Sequence, residues 1–328
     1  MKKILSVLLS AALLAGCSAP AVPQASPESA HKLRVVATIF PVYDWVREVA
    51  GPDAANLDLT LLLDGSTDLH SYQPSAQDVA AIAGCDLFVY VGGASDAWVA
   101  DALQESPNPD RQVVNLMELL GSRVYEEETV EGMEPEDHDD HDHGEEETDE
   151  HIWTSLQNAA ELSAALGDAL GELDPANAAR YTENAAAYGE KLTALDGDYA
   201  AAVEAAPVKT LLFGDRFPFR YLVEDYGLAY YAAFPGCSAE TEASFETVAF
   251  LAGKAAELDL PAVLTIEGSD QKIARTIVEN AGGDRAILTL DAMQGTSSAD
   301  IAAGTTYLSV MEQNLTVLRQ ALGAGEEA

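Results

Sequence analysis

The sequence predicts an α/β protein in which two βα lobes are joined by one long helix. Short runs of continuous apolar residues alternate with amphipathic stretches in the first half, and the second half repeats the alternation. Such strands are typical of parallel sheets that helices cover on both faces. Between the halves, a helical pattern between Asp174 and Pro207 would be roughly 48 Å long at about 1.5 Å per residue. That length exceeds what one small lobe needs, so we expect this helix to join two.

The first lobe is predicted from four apolar runs and the helical patterns around them. The predicted strands are Leu33–Ile39, Leu57–Leu63, Leu87–Val91 and Gln112–Leu116. The predicted helices are Val42–Ala50, Pro74–Ala83, Ala97–Leu103 and Thr154–Leu173.

The joining helix has a start signal at Asp174-Pro175, a capping side chain followed by proline at the first helical position. Apolar and aromatic residues from Tyr181 to Val203 then recur every three or four residues, and Pro207 ends the pattern. Gly189 and Gly197 weaken the helix, which leaves a break open.

The second lobe repeats the arrangement. Its predicted strands are Thr210–Phe213, Leu228–Ala233, Ala262–Ile266 and Ala286–Leu290. Its predicted helices are Phe217–Tyr226, Glu242–Leu258, Asp270–Asn280 and Thr305–Leu322.

The N-terminus has the pattern of a targeting segment. Lys2 and Lys3 precede an apolar run that is too short to remain as a membrane-spanning helix. The sequence Leu-Ala-Gly-Cys ending at Cys17 resembles a bacterial lipoprotein signal, which is cleaved before a cysteine that is then acylated; an ordinary signal peptide is the alternative. We therefore expect an extracytoplasmic protein with a lipid anchor at Cys17, on the cell membrane or in a periplasm.

These patterns divide the chain into five parts. We expect a signal peptide over residues 1–17, a flexible tether over 18–32, a first lobe over 33–173 that includes an acidic loop over 126–150, a linking helix over 174–207 and a second lobe over 208–328.

Charge and cysteine content exclude several classes of function. The formal net charge is -38, which argues against nucleic acid and anionic membrane surfaces as partners and favours cations. The chain has three cysteines, so a four-cysteine zinc site and a disulfide framework are both excluded. We expect Cys85 to be a small buried residue, and the spacing does not show whether it meets Cys237.

Histidines within and after the acidic loop indicate a metal-binding protein. His138, His141 and His143 lie in a run with almost no apolar residue, which predicts a mobile loop and weak metal binding, with solubilising disorder as the alternative. His151 differs because Ile152 and Trp153 follow it, so we expect it to be fixed in the fold. Imidazoles among carboxylates bind borderline or hard divalent metals.

The remaining candidate ligands follow predicted strands, where ligands bind in open α/β sheets. They are His70, Asp215, Glu267 and Asp291. Each also has a structural interpretation: a solvated histidine, an ion pair of Asp215 with Arg216, a helix cap at Glu267 and a turn cap at Asp291. Because these residues come from both halves, they are candidates to converge in a cleft between the lobes.

Several motifs together resemble the zinc- and manganese-binding lipoproteins of bacterial ABC importers, a cluster of metal solute-binding proteins of the zinc-uptake type. The motifs are Thr67 to Ser75 (TDLHSYQPS), Asp149 to Trp153 (DEHIW), Tyr226-Gly227-Leu228, Leu288 to Asp291 (LTLD) and Tyr307 to Leu315. The resemblance implies two (β/α)4 lobes with mostly parallel sheets, one long rigid helix and one metal ion in the interlobe cleft.

The resemblance also implies a ligand set of His70 and His151 from the first lobe and Asp291 from the second. At the remaining family position the aligned residue is Arg216, whose guanidinium stays protonated and cannot ligate normally. We expect Asp215 in its place, with Glu240, Glu242, Glu267 or a water as alternatives.

The predicted function is to capture a divalent metal, Zn²⁺ rather than Mn²⁺, and to deliver it to an ABC permease. We expect the protein to act as a monomer. The alternatives are a manganese-specific protein of the same family, a zinc-dependent hydrolase and a surface adhesin. We do not expect this protein to be an enzyme, because its sequence shows no HExxH motif.

Overall fold

The computed structural model describes residues 32–51, 56–65, 68–104, 108–134, 148–238 and 242–324. The first lobe contains a parallel sheet of four strands in the order β2-β1-β3-β4. The strands are β1 (Leu33–Ala37), β2 (Leu57–Leu61), β3 (Leu87–Tyr90) and β4 (Gln112–Asn115). The accompanying helices are α1 (Phe40–Ala50), α2 (Ala76–Gly84), α3 (Val99–Ala102), α4 (Leu116–Leu120) and α5 (Leu156–Leu173).

The second lobe has the same plan, with a parallel sheet in the order β6-β5-β7-β8. Its strands are β5 (Thr210–Phe217), β6 (Ala229–Pro235), β7 (Ala262–Thr265) and β8 (Ala286–Thr289). Its helices are α7 (Arg220–Tyr226), α8 (Phe245–Glu257), α9 (Lys272–Ala281), α10 (Ser298–Ala303) and α11 (Tyr307–Ala321). The predicted fold class, two parallel α/β lobes with a long helix, is therefore confirmed.

The long helix, α6 (Ala178–Ala205), runs without interruption through Gly189 and Gly197. Its 28 residues correspond to about 42 Å at about 1.5 Å per residue. Near its start Asn184 donates a hydrogen bond to the carbonyl of Val49 in α1 at 3.0 Å, and near its end Tyr199 donates one to Met311 in α11 at 2.7 Å. The helix is thus fastened to both lobes.

The two lobes share one hydrophobic core that contains residues of both sheets. Hydrogen bonds cross the same boundary. Trp153 Nε1 donates to the Ala292 carbonyl at 2.7 Å, and the Tyr307 hydroxyl donates to the Trp153 carbonyl at 2.7 Å. Because Trp153 is 1% exposed, these bonds are shielded from water and hold the lobes firmly together.

Among the predicted boundaries that differ from the structure, two have a clear physical cause. Helix α6 begins at Ala178 and not at Asp174, because the Asp174 carboxylate instead accepts hydrogen bonds from Asn56, Asn177 and Tyr181 at the end of α5. Strand β5 extends to Phe217, beyond the predicted end at Phe213, because a shift in register between Phe213 and Arg216 lets its pairing with β6 resume. As a result Asp215 lies inside the strand.

The first part of the acidic loop crosses from the first lobe to the second. The backbone N–H of Glu134 donates to the carbonyl of Ala233 in β6 at 2.9 Å, and the Tyr230 hydroxyl donates to Glu128 at 3.1 Å. Glu126 and Thr148 form an isolated antiparallel bridge where the loop returns. Cys17, His138, His141, His143 and Glu240 lie outside the described residues.

Candidate metal centre

His70 and His151 are placed by short 3-10 turns at Leu69–Ser71 and Ile152–Thr154. The backbone N–H of His70 donates to Asp68 Oδ1 at 3.0 Å, and that of His151 donates to Asp149 Oδ1 at 2.8 Å. In each case a carboxylate two residues earlier fixes the backbone that carries the imidazole.

The two imidazoles face each other across 81 residues of sequence, with their Nε2 atoms 3.2 Å apart. The outer nitrogens have partners behind them. His70 Nδ1 lies 2.8 Å from Ser95 Oγ, and His151 Nδ1 lies 3.0 Å from Asp149 Oδ1. Because both Nδ1 atoms have partners, both Nε2 atoms are directed at one shared point, an arrangement typical of metal-binding histidines.

Burial and neighbouring charges shift the pKa values of the two histidines in opposite directions. His151 is 0% exposed. Burial and the neighbouring His151 lower the pKa of His70 to about 3. Burial also disfavours protonation of His151, but the charge of Asp149 and its hydrogen bond outweigh it and raise the pKa of His151. Burial therefore favours a neutral His70 imidazole, which is the form that binds a metal, whereas Asp149 supports positive charge at His151.

The buried carboxylate of Glu150 lies behind His70. Glu150 Oε1 accepts from the backbone N–H of Ser95 at 2.7 Å, and Oε2 lies 3.5 Å from His70 Nδ1. Its approach requires glycine at position 93, where φ is +86° and a Cβ atom would clash with Glu150 Oε1. Burial raises the pKa of Glu150.

A third donor, the thiol of Cys237, comes from the second lobe. One ligand atom each from His70, His151 and Cys237 lie within 4.8 Å of one another. Burial and the nearby Glu127 carboxylate raise the pKa of the Cys237 thiol. Cys85 is buried, and both Cys85 and Cys237 are free thiols.

Arg216 makes an ion pair across the lobes. Its Nη2 lies 2.5 Å from Asp68 Oδ2, and its Nη1 donates to the Ser238 carbonyl at 3.3 Å. Burial disfavours the charge on Asp68, but Arg216 outweighs it and lowers the pKa of Asp68. The guanidinium therefore neutralises a carboxylate beside His70 and does not act as a ligand.

The predicted carboxylate ligands lie outside the group of three donors. Asp215 Oδ1 accepts from the Arg216 backbone at 2.9 Å, and Asp291 Oδ1 accepts from the Met293 backbone at 2.7 Å. Glu267 accepts from the backbones of Ala292 and Gln294, both at 2.7 Å. Burial and Asp291 raise the pKa of Glu267 to about 7. Glu267 thus holds the loop that carries Asp291. Glu242 is exposed and is not part of the group of three donors.

A cleft of about 780 Å³ opens beside the histidines, between the lobes. Asp68 and His70 line it from the first lobe, and Asp215, Arg216 and Glu267 line it from the second. The described part of the chain thus provides an entrance to His70, while His151 lies behind it without solvent contact.

Comparison with known proteins identifies the family. The family model described as ZnuA, zinc-uptake complex component A periplasmic, matches residues 35–321. The chain belongs to the ZnuA family. The membership that the sequence motifs predicted is thereby confirmed.

Relatives of this ZnuA-family chain are described as zinc-binding. The zinc-binding lipoprotein AdcA of Streptococcus pneumoniae is 34% identical over 326 residues, which cover 98% of this chain and 61% of AdcA. The chain thus spans about three fifths of the length of that relative. The high-affinity zinc uptake system protein ZnuA of Bacillus subtilis is 28% identical over 314 residues, 94% of each chain.

A solved structure shares the fold. The Zn(II)-bound ZnuA-like domain of Streptococcus pneumoniae AdcA is 30% identical, with a TM-score of 0.69 over 89% of this chain and 99% of that one.

The N-terminal prediction is also supported. A model for the prokaryotic membrane lipoprotein lipid attachment site matches residues 1–18, so this ZnuA-family chain is an extracytoplasmic lipoprotein, as predicted. Among the described residues, none of the helices has the length and apolar character needed to cross a membrane.

Cys237 was not among the metal ligands predicted from the sequence. The rule that selected Asp215, Glu267 and Asp291 applies equally to β6, and Cys237 is the second residue after that strand ends at Pro235. Its position at the carboxyl edge of the sheet was therefore a usable signal.

Proposed function

We propose that this chain captures Zn²⁺ between His70 and His151 and delivers it to the permease of an ABC importer. The observation that carries the proposal is the 3.2 Å separation of the two Nε2 atoms. Two nitrogens bonded to one tetrahedral zinc at about 2.0–2.1 Å lie about 3.3 Å apart. The pair therefore needs almost no rearrangement to share a metal ion.

The acidic loop is proposed as a weak entry site. Thr148, the last residue before the Asp149–His151 motif, pairs with Glu126, so the loop begins and ends beside the candidate centre. His138, His141 and His143 would raise the local concentration of zinc without forming the tight site. Asp291 and Asp215 remain predictions as ligands, because both lie outside the group of three donors.

Calorimetric titration of the metal-stripped full chain with Zn²⁺ and Mn²⁺ tests capture. We expect one tight zinc site, which His70→Ala and His151→Ala each abolish. The matched control replaces His138, His141 and His143 with alanine, and it should keep the tight site while losing weaker ones. Tight zinc binding that survives both single replacements would contradict the proposal.

We also propose that capture occurs without catalysis. A zinc hydrolase needs an open metal position and a placed general base. The carboxylates nearest the histidines, Asp149 and Glu150, are 2% and 1% exposed and hold the imidazoles from behind. Ester or peptide turnover by the zinc-loaded chain that stops on chelation would contradict this.

Family membership and the lipid anchor, which we propose to be at Cys17, support delivery to a permease. The chain is proposed to act as a monomer, and light scattering tests this directly. Zinc-loaded chain should stimulate ATP hydrolysis by the host importer in proteoliposomes, whereas the His151→Ala variant should not.

A further inference from the structure

Cys237 is presented to the histidines by a short segment that is held on both sides. The backbone N–H of Cys237 donates to Glu127 Oε1 at 2.9 Å, and the carbonyl of Ser238 accepts from Arg216 at 3.3 Å. Gly236 packs directly on the imidazole of His151, where a Cβ atom would lie 3.1 Å from Cε1. The backbone is thus fixed next to the metal-binding pair.

The three donors lie close enough together to share one ion after a small movement. Tetrahedral zinc with bonds of about 2.05 Å to nitrogen and about 2.3 Å to sulfur places nitrogen and sulfur about 3.6 Å apart. In the structure, the ligand atoms of His70, His151 and Cys237 all lie within 4.8 Å of one another. A movement of about 1 Å by the sulfur closes that gap, and rotation about the Cα–Cβ bond of cysteine supplies it.

The other second-lobe candidates near the pair are engaged elsewhere. Arg216 at the usual family position is a cation paired with Asp68. Asp215 lies inside β5 and accepts from its neighbour's backbone. Among the described residues, the thiol of Cys237 is the second-lobe group whose ligand atom lies within 4.8 Å of both imidazoles.

We propose that Cys237 is the third protein ligand of the captured ion, bound as a thiolate, and that it makes the site select Zn²⁺ over Mn²⁺. The inference rests on the proposed capture function and adds the identity of the second-lobe ligand. When zinc binds, the Zn–S bond forms and the thiol proton leaves to solvent. Thiolate ligands favour zinc, whereas manganese prefers oxygen ligands, so the sulfur disfavours the harder ion.

Cobalt(II) provides a direct test, because a thiolate bound to Co²⁺ gives a ligand-to-metal charge-transfer absorption in the near ultraviolet that imidazole and carboxylate ligands do not give. The test uses the full chain with Cys17→Ser, a replacement that removes both the lipidation site and the thiol of Cys17. This chain is stripped of metal and titrated with Co²⁺. We expect the band to saturate at one Co²⁺ per chain and to disappear when Zn²⁺ is added.

Two variants in the same background assign the band. Cys237→Ser should lose the charge-transfer band. It should also lower the ratio of zinc affinity to manganese affinity by at least about tenfold. Cys85→Ser is the matched control, since Cys85 is a buried thiol that donates to the Ile82 carbonyl at 3.1 Å and precedes β3, outside the group of three donors. It should keep both the band and the ratio.

The outcomes separate this inference from the capture function. A parent chain that binds one Co²⁺ or Zn²⁺ through His70 and His151 but shows no charge-transfer band overturns the role of Cys237 and leaves capture intact. A band that persists in Cys237→Ser overturns it equally. A parent chain that binds neither ion tightly overturns the capture function itself.

Discussion

Replacement of Gly236 with alanine tests how closely the second lobe approaches the histidines. A Cβ atom at this position would lie 2.9 Å from the Phe217 carbonyl oxygen, and 3.1 and 3.2 Å from Cε1 and Nδ1 of His151. Neither neighbour yields easily. The Phe217 oxygen belongs to the backbone of β5, which is held in the sheet. His151 is fully buried, and its Nδ1 is held by Asp149.

The expected cost follows from overpacking. Inserting a methyl group into a closely packed site costs about 1–3 kcal/mol. Relief requires the imidazole of His151 or the segment of Cys237 to move by a few tenths of an ångström. Zinc binding needs both in place, and each 1.4 kcal/mol of strain in the loaded form weakens affinity about tenfold. We therefore expect Gly236→Ala to unfold at lower urea concentration and to bind zinc about tenfold more weakly.

Urea unfolding of the metal-free chain and competition with a chromophoric chelator measure the two effects. Gly189→Ala in α6 is the matched control, because an added methyl group there would meet no neighbouring atom within 4 Å. It should gain about 0.5–1 kcal/mol by favouring the helix, with unchanged zinc affinity. A Gly236→Ala chain with parental stability and parental zinc affinity would refute the described contact between Gly236 and His151.

Three further predictions concern charged groups. Asp149→Asn should weaken zinc binding about tenfold in chelator competition, because a neutral amide supports the His151 imidazole less than a carboxylate does. In a double-mutant cycle of Arg216→Gln and Asp68→Asn, urea unfolding should give a coupling energy of about 1 kcal/mol, since the pair is partly exposed. Burial raises the pKa of Asp96 from 3.8 to about 7. The folded state therefore binds a proton more tightly than the unfolded state, and stability is lost as the pH rises through this window, by up to about 1.4 kcal/mol per pH unit.

Each of these has a result that contradicts it. Unchanged zinc affinity in Asp149→Asn would show that the carboxylate does not support the ligand. Additive effects in the double-mutant cycle would show that Arg216 and Asp68 are energetically independent. For Asp96, urea unfolding of the metal-free chain between pH 4 and 7 should show a smaller decline in the Asp96→Asn variant, and equal declines in the two chains would exclude its role.

The fold was predictable because its signals are local. Continuous apolar runs mark β1 and β3, and the three- and four-residue recurrence from Tyr181 to Val203 marks α6. The boundaries were less predictable where a longer-range interaction decides them. The extension of β5 depends on register with β6, and the start of α6 depends on the hydrogen bond from Asn56 to Asp174.

The candidate site was half predictable for the same reason. His70 and His151 stand in recognisable motifs after ordered elements, and the structure brings their nitrogens together. Cys237 stands in no such motif, and its place after β6 was the one local signal, while long-range contacts of its segment with Glu127 and His151 accompany its approach to the pair. Asp215 was chosen from its place after a strand that in fact continues past it.

Anomalous diffraction at the zinc absorption edge, measured on crystals of the zinc-loaded chain, tests the central claim most directly. We predict one strong peak between the lobes, about 2.0–2.1 Å from Nε2 of both His70 and His151. A zinc ion bound elsewhere on the chain, with these two nitrogens bonded to no metal, would contradict it.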